Sequence, residues 1–401
     1  MKAMDDSGKP PSSGTPSPKG AAGELPVDTP AVDIAVLSQW QLIQTRFRRH
    51  RVAVVALYLI VFLYFLAVFA GFFAPYSQYR RDAADSFAPP QVPFFSLSDG
   101  FYSYRSVRQE DPITLKRTYR VDRTRKIPLG FLVEGDSHSF LGLFESRLHF
   151  FGVDLEKWRS TVHDSSEAPP SFLLLGADRY GRDILSRVLH GSRISLSIGL
   201  VSIVITFMLG SLIGGISGYV GGRVDTLIQR LIEIINSFPH LPLWMAIAAI
   251  VPGTWPPLRI YFAITIVLSL LNWTGLARVV RGKILSLREE EYAIAARLLG
   301  ASHSRVLFRH LLPGFTSHII VTLTLSIPGM ILGETALSFL GLGLRPPIVS
   351  WGVMLQDCLN LQVVADYPWH LTPVLFIIIT VLAFNFLGDG LRDAADPYST
   401  R

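Results

Sequence analysis

The sequence predicts an all-α polytopic membrane protein with a water-facing insertion, and three observations predict it. Apolar residues make up 49% of the 401 positions and charged ones only 17%, with a mean hydropathy of +0.37, a mixture foreign to ordinary soluble domains. The apolar residues are gathered into six long blocks, with most of the charge in the gaps between them. Arg46, Arg48, Arg49 and Arg51 stand directly before the first block, where a basic flank fixes the orientation of a span. The expected fold is six transmembrane helices with an extracytoplasmic insertion, β-rich or mixed, between spans one and two.

Residues 1–45 are expected to be a disordered cytoplasmic tail. Met1 to Thr29 is rich in Pro, Ser, Gly and charge and has no apolar run, so it cannot bury enough surface to offset its ordering entropy. It is not read as a secretory signal, because the first apolar block starts only at Val52. Residues 46–74 form the basic flank and the first span. Val52 to Ala74 is a run of 23 residues without a charge, enough to cross ~30 Å of hydrocarbon at ~1.5 Å per residue.

Residues 75–192 are read as the extracytoplasmic insertion followed by an interfacial helix. Charges and prolines are scattered through it, and alternating stretches such as Thr118-Tyr119-Arg120-Val121 suit strands. Long domains translocate whatever their charge, so its arginines do not contradict the orientation. Asp178, Arg179, Arg182 and Asp183 are placed on the interfacial helix, as a docking point or as a local salt-bridge cluster.

Residues 193–390 form the core, with spans at Ile194–Ile216, Leu241–Val251 behind an amphipathic lead-in from Leu227, Ile260–Leu276, Ile319–Leu340 and Leu371–Leu387. An even number of spans returns the C-terminal tail, 391–401, to the cytoplasm. Loop charge agrees: Arg278 to Arg309 holds seven Arg/Lys against three Glu, whereas the short outer loops hold only Arg259 and Arg345. Span three is interrupted by Glu233, Pro239, His240 and Pro242. Broken helices survive in a bilayer where they line protein or a wet cavity, so Glu233 and His240 are candidate pathway-lining residues.

The inner loop, 278–313, carries the densest pattern. Ser286 and Glu289 have capping-box spacing, Glu289 to Glu291 fall in a first turn, and Gly300 stands where a left-handed cap is expected. The spacing predicts a helix over Leu287–Leu299, with Ala293, Ala296 and Gly300 forming a small-residue face that Ala295 widens. A second helix is expected from Ser302 to Leu312, stopped by Pro313 and Gly314. Such a pair suits insertion into a partner's groove; on spacing alone it could equally be an amphipathic connector.

Elsewhere, Gly210, Gly214 and Gly218 form a G-x-x-x-G-x-x-x-G row that allows close helix packing, or a hinge. Glu334 and Asp389 are the acidic residues nearest the bilayer, expected near its interfaces rather than as substrate ligands, with Asp389 free to pair with Arg392. The net charge, 37 basic against 31 acidic residues, is too diffuse for nucleic-acid binding. Cys358, the sole cysteine, excludes an intrachain disulfide and a Cys-rich zinc site. The absence of G-x-x-x-x-G-K-[ST], H-E-x-x-H and G-x-S-x-G leaves nucleotide hydrolysis and those hydrolase chemistries without residues.

Four stretches in order then carry a resemblance. Ala295, Ala296, Gly300, Leu312 and Pro313 match E-A-A-x3-G-x9-I-x-L-P, the coupling-loop motif of ABC importer permeases, with Ile294 in place of its Glu and His310 in place of its Ile. Glu291 supplies an acid three residues earlier, followed by Tyr292, Ala293, Arg297 and Ala301 around the same motif. Leu175-Gly176-Ala177-Asp178, Gly181-Arg182-Asp183 and Leu185-Ser186-Arg187 resemble L-G-T-D-x-x-G-R-D-x-L-S-R. Gly218-Tyr219-Val220-Gly221-Gly222 with Asp225, and Glu334 with Leu337-Ser338-Phe339-Leu340-Gly341-Leu342-Gly343, Ser350-Trp351-Gly352 and Gly388-Asp389-Gly390, complete the set. The chain is thus similar to the C-type permeases of the dipeptide, oligopeptide and nickel branch over about Ser171 to Tyr398 and the first span.

The resemblance implies a type I importer permease in a bacterial inner membrane, paired with a homologous B-type permease, two ATPase subunits and an extracytoplasmic solute-binding protein. ATP and Mg would be used by those ATPases, with no cofactor on this chain and no enzymatic role for it. The loop from Glu291 to Pro313 would be the ATPase-coupling element. Peptides are the substrate class implied. The competing class is a self-contained secondary transporter or channel, for which mid-span carboxylates and internal repeats would be expected.

Overall fold

The structure, a computed structural model, describes residues 39–110, 112–113, 117–140, 144–161 and 169–396. Most of the expected N-terminal tail and the last five residues of the C-terminal tail therefore lie outside the described residues. The described part begins within a helix.

That helix, α1 (Gln39–Arg49), leads into α2 (Arg51–Val68) and the short α3 (Ala70–Phe73). Together α2 and α3 account for the charge-free run, but the helix breaks at Phe69. The carbonyls this exposes do not stay bare: the Arg193 guanidinium donates to Ala67 O at 2.7 Å and Val68 O at 2.9 Å.

The insertion holds a four-stranded antiparallel meander, β1 (Phe94–Ser96), β2 (Gly100–Glu110), β3 (Arg117–Phe140) and β4 (Phe144–Val153), followed by α4 (Leu155–Thr161). Thr118 to Val121 does lie in β3. Ile127, Leu129, Val153 and Phe172 form its small core.

No helix forms at Asp178–Asp183. Gly176 and Gly181 adopt φ of 80° and 69°, conformations open to glycine, and fold the segment into tight turns closed by the Ala177–Asp183 bridge. Asp183 instead caps α5 (Ile184–Val220), accepting from Ser186 N at 2.8 Å. Span two therefore starts ten residues before Ile194, and the boundary at 192/193 falls inside a continuous helix.

The expected third span is two helices, α6 (Gly222–Ser237) and α7 (His240–Ala248), bent by 88°. Pro239 is the cause, since the residue before a proline is driven out of the helical region, and Phe238 is extended at ψ 139°. Then come α8 (Pro257–Leu287), α9 (Glu291–Leu298), α10 (His303–Arg305) and α11 (Thr316–Phe339). The short α12 (Trp351–Met354) and α13 (Leu361–Asp366) precede α14 (Thr372–Ala395). Among the described residues, five helical stretches are long and apolar enough to cross a membrane, or six if the bent pair is one span.

The glycine row lies where α5 crosses α8. A Cβ on Gly214 would stand 2.8 Å from Ala277 Cα, and one on Gly218 2.7 Å from Arg281 O, while Gly210 faces the Leu276 side chain. Around this crossing α2, α11 and α14 complete the bundle, with Ile60, Val188, Ile331, Trp351 and Phe384 in one buried cluster.

Candidate functional site

The paired-helix loop differs from its sequence reading in three respects, each with a local cause. The hydrophobic repeat of Val280, Ile284 and Leu287 continues α8 through Ser286, so Ser286 is no cap, and α9 begins at Glu291 behind Glu290. Pro313 does not stop the second helix. Ser302 caps α10 by accepting from Arg305 N, but the chain passes through a π-turn over Val306–Leu311 and a 3-10 turn over Leu312–Phe315 directly into α11. Proline is tolerated there because it enters at the start of a new turn, where its missing N–H is not needed.

The third correction concerns the small-residue face. Ala293 is fully buried against this chain's own Val280, Ile284, Val306, Leu307 and Leu311, with Ala296 and Ala301 packed beside it. Those small residues let α9 lie close on α8 and the π-turn. The outward side carries Tyr292, Ile294, Ala295 and Arg297, and beyond them Leu298 and Leu299, which are 83% and 88% exposed. Gly300 takes the left-handed conformation expected of it, φ 82°.

A second motif braces this loop, a connection that reading the motifs one at a time missed. Asp225, in the stretch after α5, accepts two bonds from Arg281 of α8, both at 2.6 Å, and a third from Ser217. Arg288 donates back to the Gly218 and Tyr219 carbonyls, and Gly221 lies so near that a Cβ there would sit 3.0 Å from Arg288 Nη1. Arg297 donates to Arg288 O at 2.6 Å and Tyr219 Oη meets His303 Nδ1 at 3.1 Å. The loop is thus a rigid platform, with its apolar side filled and a pair of leucines presented outward.

Glu334 is the residue that sequence reasoning undervalued. It is wholly buried in protein, five residues before the end of α11. Its Oε1 accepts from Ser338 Oγ and Ser350 Oγ, each at 2.8 Å, and Oε2 from Ser195 Oγ at 3.4 Å. Each serine in turn accepts a backbone N–H, from Leu344, Val353 and Trp351. A buried carboxylate needs such a donor shell. The signal available in sequence was a glutamate with a serine one turn later; Ser195 lies 139 residues away.

The Asp178 group is an internal ion-pair cluster, in which Asp183 Oδ1 and Arg187 Nε are buried without a hydrogen-bond partner among the described residues. Asp178 accepts from Arg182 Nε at 2.7 Å, from Arg187, and from the N–H groups of Tyr180 and Arg182. Burial works to raise its carboxyl, but the two guanidiniums hold it below the usual range. Burial pushes Asp183 up to about 6 against the Ser186 bonds. Arg179 reaches Asp357 at 3.1 Å, linking these turns to the segment that carries Cys358.

The remaining candidates stand apart. Glu233 is exposed and paired with Arg230 at 2.6 Å; His240 is exposed at the start of α7, its ring 5.8 Å from Trp244. Asp389 is exposed and makes no ion pair with Arg392. No group of three or more His, Cys, Asp or Glu among the described residues could hold a metal.

With this geometry in place, comparison with known proteins gives consistent similarities. The family described as "Binding-protein-dependent transport system inner membrane component" matches residues 210–400. The "N-terminal TM domain of oligopeptide transport permease C" matches residues 38–90. The chain is 38% identical over 241 residues to the dipeptide transport system permease protein DppC of Bacillus subtilis (strain 168), covering 60% of this chain and 73% of that one. It is 43% identical over 223 residues to the oligopeptide transport system permease protein OppC of Escherichia coli (strain K12), covering 55% and 71%. Among solved structures, the inward-facing MetNI methionine ABC transporter superposes with a TM-score of 0.40 and 18% identity over 52% of this chain and 95% of that one.

Proposed function

The chain belongs to the family of binding-protein-dependent transport inner-membrane components, as a permease of the C type, and from that premise we propose how it works. It forms half of a pathway shared with a homologous B-type permease and imports peptides delivered by an extracytoplasmic solute-binding protein. Two ATPase subunits dock on the paired-helix loop and hydrolyse ATP with Mg; this chain supplies no catalytic group. Both termini are cytoplasmic, and the sheet of residues 94–153 is extracytoplasmic.

The observation that carries this reading is the exposed Leu298–Leu299 pair on a helix whose opposite side is locked to α8. Two adjacent leucines left bare at the tip of a braced loop suit an apolar socket on a partner. Because Ala293 and the Asp225–Arg281 bridge fix the platform to the spans, movement of the partner is delivered to α8 and α11 as a rigid displacement. The self-contained carrier is not favoured, since the relatives named above are components of multi-part transport systems.

The test is co-purification. Leu298→Asp with Leu299→Asp should leave the chain in the membrane with its partner permease and abolish recovery of the ATPase subunits. Recovery equal to that of the unaltered chain would remove the loop from the docking role.

A further inference from the structure

The strand pair β3–β4 does not stand clear of the bundle. Its closing end runs back along the first span: the Phe140 ring lies 5.1 Å from that of Phe69, and a Cβ on Gly71 would press on the His138 ring. Phe69 stands at the break between α2 and α3, five residues inside the charge-free run that ends at Ala74. The paired ends of β3 and β4 therefore lie against the outer end of the first span, where α2 gives way to α3.

The surface of the strand pair beside this span is aromatic, from its closing end at Phe140 and Phe144 to Phe150 and Phe131 farther along the strands. Phe140 meets Phe144 at 5.0 Å, and Phe150 connects Phe72 at 6.0 Å to Phe131 at 5.5 Å. These rings are not core: Phe144, Phe131 and Phe150 are 58%, 53% and 41% exposed. The patch continues onto α2, where Phe65 and Phe62 are 45% and 53% exposed. Charged groups border it without interrupting it. Glu145 and Arg147 are exposed on β4, and Arg193 occupies the break in the span.

We propose that the side of the β3–β4 pair that carries Phe140, Phe144, Phe150 and Phe131 is seated in the lipid–water interface beside span one, with these phenylalanines among the acyl-chain ends of lipid. Phenylalanine rings favour the apolar side of that interface, and an arginine at their border can bury its stem while its charge stays in headgroup water. Ring-to-ring continuity with a span that must itself meet lipid selects lipid over solvent as the occupant. Seated this way, the insertion is tethered at its base and cannot swing freely above the pathway.

Cys358 is the sole cysteine, so its replacement by serine permits single-site spin labelling of the full chain, assembled with its partner subunits in phosphatidylglycerol/phosphatidylethanolamine nanodiscs. Phe144→Cys and, separately, Phe131→Cys are compared with Arg108→Cys, farther out on β2. The expected result is that oxygen collisions outnumber those of a water-soluble nickel chelate at Phe144 and Phe131, the reverse of the order at Arg108. Either position suffices if the other fails to assemble. The same order as Arg108 overturns the proposal, as does shielding from both reagents, which would put protein there instead.

Discussion

Ser350 Oγ donates to Glu334 Oε1 at 2.8 Å, joining the cap of α12 to the interior of α11 across 16 residues of chain. Ser350 also caps α12 by accepting from Val353 N, and Ser195 of α5 accepts from Trp351 N while donating to the same carboxylate. One buried carboxyl group thus holds two spans and the segment after α11 in a single arrangement. The Trp351 indole donating to Val188 O at 3.1 Å adds a second tie to α5.

Removing the carboxylate should free that segment. Glu334→Ala leaves three buried hydroxyls without their acceptor, a loss on the order of 2–4 kcal/mol, while Glu334→Gln keeps the volume and one acceptor and should cost less. Cys358 provides the readout, because it lies in the tethered segment and burial, with Asp357 beside it, pushes its thiol up to about 11. Maleimide should modify it slowly in the unaltered chain and faster in Glu334→Gln and Glu334→Ala, in that order. Equal rates in all three would show that the serines hold the segment unaided.

The glycine row makes a separate claim about packing. Gly214→Ala places a methyl group against the Ala277 backbone, which cannot yield as a flexible side chain can, and overpacking of this kind costs about 1–3 kcal/mol. Gly275→Ala on α8 is the matched control, since nothing lies within 4 Å of its Cβ position. The first variant should melt at lower temperature and the second should not. If both melt like the unaltered chain, α5 and α8 are not as closely packed as their backbones indicate.

What the sequence revealed and what it hid follow the range of the interactions concerned. Val52–Ala74 and the Gly210–Gly214–Gly218 row were readable because a charge-free length and a four-residue repeat are local properties. The end of α8 was not, since the Ser286–Glu289 spacing and the Val280–Ile284–Leu287 repeat compete over the same residues, and burial of the repeat won. The small face was seen, but not its direction: only the fold places Val306 and Leu311 against Ala293. The hydroxyl shell of Glu334 was hidden because two of its three donors come from other elements, and no window contains them together.

Stability of the insertion should carry a pH signature from Asp85. Burial first, then Asp82, pushes its carboxyl up to about 6, against a bond from Ser171 and the charges of Arg80 and Arg105. A folded-state value above the unfolded one of ~3.9 means that the folded form holds the proton more tightly. The resulting stabilisation is fully present below about pH 4 and is lost as pH rises through about 6. Thermal melts followed by intrinsic fluorescence should therefore decline across that window, and Asp85→Asn should flatten this part of the profile. An unchanged slope in the variant would assign the decline to other groups.

Gly300 separates conformation from contact at the paired-helix loop. Its φ of 82° disfavours side chains, yet nothing lies within 4 Å of its Cβ position, so this chain itself offers no steric objection to one. Asparagine tolerates the left-handed region, at a cost well below the ~1–2 kcal/mol met by other residues. Gly300→Asn should then preserve both assembly and transport-coupled ATP hydrolysis by the partner subunits. Gly300→Trp accepts the strain and projects an indole beside the exposed Leu298 and Leu299; it should still reach the membrane with its partner permease but lose ATPase docking. Both are read by co-purification and by substrate-stimulated ATPase activity of the reconstituted complex. Normal assembly and transport with tryptophan at this position would mean that no partner surface closes over the loop, and the coupling assignment would fall with it.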